Sequence, residues 1–91
     1  LREVEGMVVN NVEDAALLIE DKDEAIIEAM IERHLQILTA VKAATEKHLV
    51  RFYQKVCRAE AGPIFVDILV NLERISDHCL VIAEHIRNIE E

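Results

Sequence analysis

Residues 24–63 read EAIIEAMIERHLQILTAVKAATEKHLVRFYQKVCRAEAGP, and the fold follows from this segment. Its apolar and small residues recur at spacings of three and four, which is the period of one face of an α-helix. These positions are Ile27, Ile31, His34, Leu38, Val41, Thr45, His48 or Leu49, Phe52 and Val56. Because the pattern continues for about five heptads, it predicts a single long helix over residues 22–60, helix two.

The end of this segment predicts a tight reversal into another helix. Gly62 suits the position just after a helix, where a left-handed backbone is common, and Pro63 suits the first turn of the next helix. Helix three is therefore predicted over residues 63–90, with one broad apolar face. That face comprises Ile64, Phe65, Ile68, Leu69, Leu72, Ile75, Cys79, Ile82, Ile86 and Ile89.

A shorter helical stripe precedes the long helix. Helix one is predicted over residues 2–20 from the spacing of Val4, Val8, Val12, Ala15, Leu18 and Ile19. Asp21 can cap helix two, with Glu24 three residues later as in an acidic version of the capping box. Short connections make neighbouring helices antiparallel. The sequence therefore predicts an all-α, antiparallel three-helix bundle, a single unit over residues 1–91, in which helix two is longest.

The predicted helices differ in length. At 1.5 Å per residue, helix two spans roughly 55 Å and helix one about 30 Å. Leu1 then lies level with about residue 42, and the far end of helix two is flanked by helix three alone. Three alternatives could supply the missing packing partner at that end: an upstream extension of helix one, a second copy of the unit, or a symmetric dimer.

Composition narrows the class of protein. Hydrophobic residues make up 52% of the 91 residues, whereas aromatic residues make up 3%, so the core is built from aliphatic side chains. Charges interrupt every apolar run well short of the roughly 20 residues of a membrane span. The net charge of −8 argues against a nucleic-acid partner. Cys57 and Cys79 lack a CxxC spacing and are expected to be reduced thiols in or near the core of a cytosolic protein.

An acidic pair is the sharpest local feature. Glu73 and Asp77 lie one turn apart on one helical face, where two carboxylates repel each other unless a cation or proton lies between them. They are therefore candidate ligands for a divalent or ferric ion. The predicted register places the Asp77 turn beside His48, a candidate third ligand. Alternatively, the acids are solvated and paired with bases such as Arg74, and His48 is a core-edge histidine.

No catalytic constellation is visible. The sequence has no glycine elbow and no phosphate loop, and Ser76 lies mid-helix without an oxyanion-hole candidate. We therefore expect no enzyme activity. A basic strip, at spacings of four, four and three, comprises Lys47, Arg51, Lys55 and Arg58. It is either a solvated face or a docking strip for anionic lipid heads or an acidic partner helix.

Residues 72–78 read LERISDH and continue through Ile82-Ala83-Glu84. This run resembles the acidic signature of PhoU-like proteins, which usually reads Leu-Glu-Arg-Ile-Gly-Asp followed by Ile-Ala. Upstream, His48-Leu49 and the turn from Cys57 to Phe65 resemble the C-terminal cytoplasmic domain of bacterial sodium-dependent phosphate cotransporters. The resemblance covers about residues 30–89.

The resemblance implies one three-helix repeat, two of which make a complete PhoU protein, and a non-catalytic role in regulating phosphate uptake. The implied partner is the membrane domain of a parent transporter, a second repeat in the same chain, or a second copy in a homodimer, at the cytoplasmic face of the cell membrane. Glu73 and Asp77 match the metal-binding acidic pair of the family. Gln36 stands where the family often carries an acid, which leaves Glu32 as a further candidate ligand. The remaining alternative is a plain helical dimerisation module.

Overall fold

Three helices make up the described part of the protein. The computed structural model describes the backbone of residues 2–53 and 61–89, and the side chains of 2–50 and 64–89. The elements are α1 over Arg2–Glu20, α2 over Glu24–Tyr53 and α3 over Ala61–Arg87. Those residues contain no strand, and α2 is the longest helix, with 30 residues. The predicted all-α fold and the bounds of helix one are confirmed. None of the helices in these ranges is both long and apolar enough to cross a membrane.

A short connection joins α1 to α2. The backbone N–H of Asp21 donates to the Leu17 carbonyl at 3.1 Å, at the end of α1. Asp23 then caps α2, because its Oδ1 accepts a hydrogen bond from the Ala25 N–H at 2.9 Å. This bond satisfies one of the donors that the start of a helix leaves unpaired. The prediction that Asp21 caps a helix beginning at residue 22 is therefore wrong.

Helix α3 begins before the predicted reversal at Gly62. Gly62 and Pro63 both lie in the first turn of α3, which begins at Ala61. Proline is tolerated there because the first N–H groups of a helix have no partner within it. The predicted reversal at Gly62 is therefore wrong. The predicted extension of helix two to residue 60 lies outside the described residues.

Two apolar clusters make up the described core, and each draws on all three helices. The first cluster comprises Ala15, Leu18, Ile27, Met30, Cys79, Ala83 and Ile86. The second comprises Val4, Val8, Ile37, Val41 and Leu69. The second cluster places the start of α1 level with the Val41 turn of α2, as predicted. Burial of these aliphatic side chains is the main stabilising term of the bundle.

Both α1 and α3 carry two apolar stripes, of which one faces the core. In α1, Val12 and Ile19 were expected in the core but are 45% and 70% exposed, whereas Asn11 is fully buried. In α3, Leu69 and Cys79 are buried as predicted. The members of the predicted α3 face that prove exposed are Ile64, Ile68, Ile75, Ile82 and Ile89. In each of these two helices, the buried stripe therefore lies one residue away in sequence from the exposed apolar stripe.

Candidate functional site

A polar layer separates the two apolar clusters, and each helix contributes one buried member. Asn11 of α1, His34 of α2 and Ser76 of α3 are 0%, 8% and 0% exposed. The Ser76 hydroxyl lies 2.7 Å from His34 Nδ1 and accepts a hydrogen bond from Asn11 Nδ2 at 3.3 Å. Asn11 Nδ2 also donates to the Met30 carbonyl at 3.5 Å. Side-chain hydrogen bonds thus join all three helices at one level of the bundle.

An ion pair closes the α1–α2 edge of this layer. Arg33 Nη1 donates to Asn11 Oδ1 at 2.8 Å and to Asp14 Oδ2 at 2.7 Å. The Arg33 and Asp14 side chains are 24% and 23% exposed, so water screens the pair in part. The contact fixes the amide of Asn11, whose oxygen faces Arg33 while its nitrogen faces Ser76. Each polar atom of this buried amide therefore has a partner.

Sequence reasoning missed two members of the polar layer. Asn11 stands three residues after Val8 and four before Ala15, which is the spacing of the α1 core stripe. Ser76 likewise stands three residues before the buried Cys79. A polar residue at a core-spaced position in an apolar stripe is the signal that could have found both, because such a residue needs a buried partner.

The predicted acidic pair lies on the surface of α3 beside the polar layer. Glu73, three residues before Ser76, is half-buried, and Asp77, directly after it, is exposed. The ion pairs among the described residues are Arg33–Asp14 and Arg87–Glu24, so neither acid forms one with Arg74 there. That part of the chain also holds no group of three or more His, Cys, Asp or Glu that could bind a metal ion. Glu73 and Asp77 therefore provide two carboxylates, one helical turn apart, as possible ligands.

His48 lies at another level of the bundle. Its ring stacks on Phe65, with ring centroids 4.7 Å apart, and its buried Nε2 has no hydrogen-bond partner among the described residues. Phe65 precedes Asp77 by twelve residues, or roughly 18 Å along a helix. The predicted contact between His48 and the Asp77 turn is therefore wrong. His34 occupies that level instead, so α2 is shifted against α3 by roughly three turns relative to the predicted register.

The family model described as PhoU domain matches residues 1–86 of the chain. The chain belongs to the PhoU domain family. The resemblance is thus confirmed at the level of the family, while the link to sodium/phosphate cotransporters stays a prediction. Neither the curated proteins nor the solved structures include a significant match.

In this PhoU domain the acidic signature coincides with the polar layer. Ser76 stands at the position where the signature usually has glycine. A glycine has no side chain to offer, whereas the Ser76 hydroxyl contacts His34 at 2.7 Å and Asn11 at 3.3 Å. The turn of α3 that carries Glu73 and Asp77 is therefore bonded to both neighbouring helices.

A groove of about 880 Å³ runs beside α2 in the PhoU domain. Glu32 and His48, two further candidate ligands, both line it, whereas Glu73 and Asp77 do not. Sixteen residues separate Glu32 from His48, which is roughly 24 Å along a helix, so they do not share one ion. Within the described residues, neither of them joins the acidic pair in a group of three that could bind a metal ion.

The structure describes part of the basic strip. Lys47 is exposed and lines the same groove. The side chain of Arg51 and the residues Lys55 and Arg58 lie outside the described part of the chain. Whether the four bases form one surface therefore stays a prediction.

Cys79 is a thiol of the first apolar cluster. It is buried and free, and burial raises its pKa above the ordinary value for a thiol. The thiolate, which is the reactive form, is therefore scarce near neutral pH. The prediction of a core thiol is confirmed for Cys79, while Cys57 lies outside the described residues.

Proposed function

We propose that the chain is a non-catalytic regulatory domain that controls phosphate uptake by a sodium-dependent phosphate transporter. Membership of the PhoU domain family carries the proposal, since it indicates a phosphate-related regulatory role. The domain would lie at the cytoplasmic face of the membrane. Its partner would be the membrane domain of the transporter or a second PhoU-like repeat, with the basic strip docking on anionic lipid heads or on an acidic helix of that partner.

The polar layer supports a regulatory role for the acidic turn. Glu73 and Asp77 flank Ser76, which is bonded to His34 of α2 and to Asn11 of α1. A ligand or partner that bound the two acids would therefore act on a turn connected to the whole bundle. Such a connection is what a module needs if binding at its surface is to change how its helices meet a neighbour.

Removal of the domain is expected to change the response of uptake to phosphate. Sodium-coupled uptake of radiolabelled phosphate would be measured in cells over a range of external phosphate concentrations, with the full-length transporter and with residues 1–91 deleted. The double variant Glu73→Gln/Asp77→Asn should reproduce part of the change, because it neutralises the proposed signal-receiving turn.

The matched control is Asp67→Asn/Glu13→Gln, which removes the same charge from exposed helical positions outside the acidic signature. It should leave the uptake curve unaltered. Transporter abundance at the membrane would be measured in each strain. Uptake that is identical at every phosphate concentration after deletion, at equal abundance, would contradict the proposed role.

A second candidate function is metal binding at the acidic pair. The observation in its favour is that Glu73 and Asp77 lie one turn apart, and neither forms an ion pair within the described residues. Such a pair of like charges costs a few tenths of a kcal/mol in a helix, and a bound cation removes that cost. Hard carboxylate oxygens suit manganese or iron. Water or a partner would supply the remaining ligands.

Metal binding predicts a rise in melting temperature. At a free metal concentration of about 100 times Kd, the folded state gains roughly 2.7 kcal/mol. Addition of Mn²⁺, Zn²⁺ or Fe³⁺ should therefore raise the melting temperature of the wild-type chain and give a saturable heat in calorimetry. Glu73→Gln/Asp77→Asn should abolish both effects, while Asp67→Asn/Glu13→Gln should retain them. Identical melting with and without each metal would eliminate this candidate.

A further inference from the structure

Helix α3 buries the less apolar of two neighbouring stripes. Its fully buried residues at a spacing of seven are Leu69, Ser76 and Ala83. The residues directly before them form an isoleucine stripe that is 38% to 43% exposed and comprises Ile68, Ile75 and Ile82. Adjacent residues of a helix lie about 100° apart, so a turn of α3 about its own axis by that angle would exchange the two sets. Apolar burial alone would therefore favour the isoleucine stripe in the core.

Helix α1 shows the same preference. Asn11 is fully buried, whereas Val12 directly after it is 45% exposed. Leu18 is buried, and Ile19 directly after it is 70% exposed. Burial of an amide or a hydroxyl in place of an apolar side chain costs free energy unless the polar group is hydrogen-bonded. Some interaction must therefore outweigh the apolar burial that α1 and α3 give up in these orientations.

The three polar residues hold equivalent positions in their helices. Each is the middle member of a buried triplet at a spacing of seven, and the triplets are Val4-Asn11-Leu18, Ile27-His34-Val41 and Leu69-Ser76-Ala83. One set of outer members meets in the second apolar cluster, namely Val4, Val41 and Leu69. The other set meets in the first, namely Leu18, Ile27 and Ala83. The polar members meet between the two clusters, so the layer forms only when all three helices turn these triplets inward.

We infer that the polar layer selects which stripe of α1 and of α3 faces the core. A turn of α3 that buried Ile75 would remove the Ser76 hydroxyl from His34 Nδ1, now at 2.7 Å, and from Asn11 Nδ2, now at 3.3 Å. The histidine and the asparagine would then stay buried with fewer partners, which costs more than an extra apolar contact returns. Buried polar residues fix the arrangement of helices in this way in coiled coils.

This selection also sets the direction of the acidic pair. Glu73 and Asp77 belong to the same helix as Ser76, so a turn of α3 by about 100° would carry both carboxylates round the bundle with it. The polar layer therefore determines which side of the bundle presents them. The inference concerns the orientation of the helices and does not depend on the proposed role in phosphate uptake.

Thiol reactivity at two adjacent positions of α3 tests the inference. Ile82→Cys and Ala83→Cys would be made separately in a chain that carries Cys57→Ser, and the rate of reaction with an aromatic disulfide reagent would be measured. Ile82 is 38% exposed and Ala83 is fully buried. The thiol at position 82 should therefore react at least about tenfold faster than the thiol at position 83. Cys79 is buried, and the Cys57→Ser chain gives its background rate.

Removal of the polar layer should erase this difference. Asn11→Leu/His34→Leu/Ser76→Ala makes every member apolar, so no member is left unpaired and the isoleucine stripe becomes the favourable one to bury. In this background the thiol at position 82 should react more slowly than before and the thiol at position 83 faster. The difference between them should fall below about threefold. Slower reaction at position 82 indicates a turned helix, because a loosened bundle would react faster at both positions.

The matched control is Ile27→Leu/Val41→Ile, which changes buried residues one heptad on either side of His34 and keeps them apolar. It should retain the tenfold difference. Ser76→Ala alone keeps nearly the same volume and should give an intermediate difference, so it supplies the test if circular dichroism shows that the triple variant does not fold. An unchanged difference in the folded variant would overturn the inference. So would faster reaction at both positions, or an equal effect of the control.

Discussion

Leu69→Ala is expected to lower the free energy of unfolding by roughly 3 kcal/mol. Leu69 is fully buried in the second apolar cluster, where α3 meets Val4 and Val8 of α1 and Ile37 of α2. Truncation removes apolar contacts and leaves a cavity, since neighbours on three separate helices cannot all move inward. Urea unfolding followed by circular dichroism measures the loss.

The control for this prediction is the adjacent residue. Ile68→Ala removes a similar volume from a side chain of α3 that is 40% exposed. It should cost less than about 1 kcal/mol. If Ile68→Ala lowered the free energy of unfolding more than Leu69→Ala, the buried and exposed stripes of α3 would be assigned the wrong way round.

Ser76→Ala is expected to cost about 1–3 kcal/mol. The Ser76 hydroxyl lies 2.7 Å from His34 Nδ1 and accepts from Asn11 Nδ2 at 3.3 Å. Alanine fills nearly the same space, so the loss arises from two buried polar groups that are left without one of their partners rather than from a cavity. The free energy of unfolding from urea titration measures it.

Thr39→Ala is the matched control for the loss of a hydroxyl. The Thr39 hydroxyl donates to the Leu35 carbonyl within α2 at 3.1 Å, at an exposed site. Water can replace that contact, so the change should stay within about 0.5 kcal/mol. Equal effects of Ser76→Ala and Thr39→Ala would show that the polar layer contributes nothing beyond an ordinary surface hydrogen bond.

The number and type of the elements could be read from the sequence because they depend on local periodicity. The spacing of Val4, Val8, Ala15 and Leu18 gave both the bounds of α1 and most of its core. Periodicity could not choose between two adjacent apolar stripes, however. In α1 it favoured Val12 over Asn11, since an apolar residue appears the better core member unless a buried partner is known.

The register of the α2–α3 pair could not be read from the sequence. It depends on where the chain reverses, and Gly62 with Pro63 fits the end of one helix and the first turn of the next equally well. The placement of both residues in α3 moves His48 to Phe65 and His34 to Ser76. The acidic pair was proposed from its spacing alone, whereas its neighbours depend on register and were therefore missed.

A nuclear Overhauser spectrum of the chain tests whether one polar layer joins the three helices in this register. Protons of the His34 ring should show cross-peaks to the β-protons of Ser76, and the Asn11 side-chain amide should show cross-peaks to the same serine. The His48 ring should instead show cross-peaks to the ring of Phe65. Cross-peaks from His48 to Ser76 or Asp77, with none from His34, would contradict both the register and the site built on it.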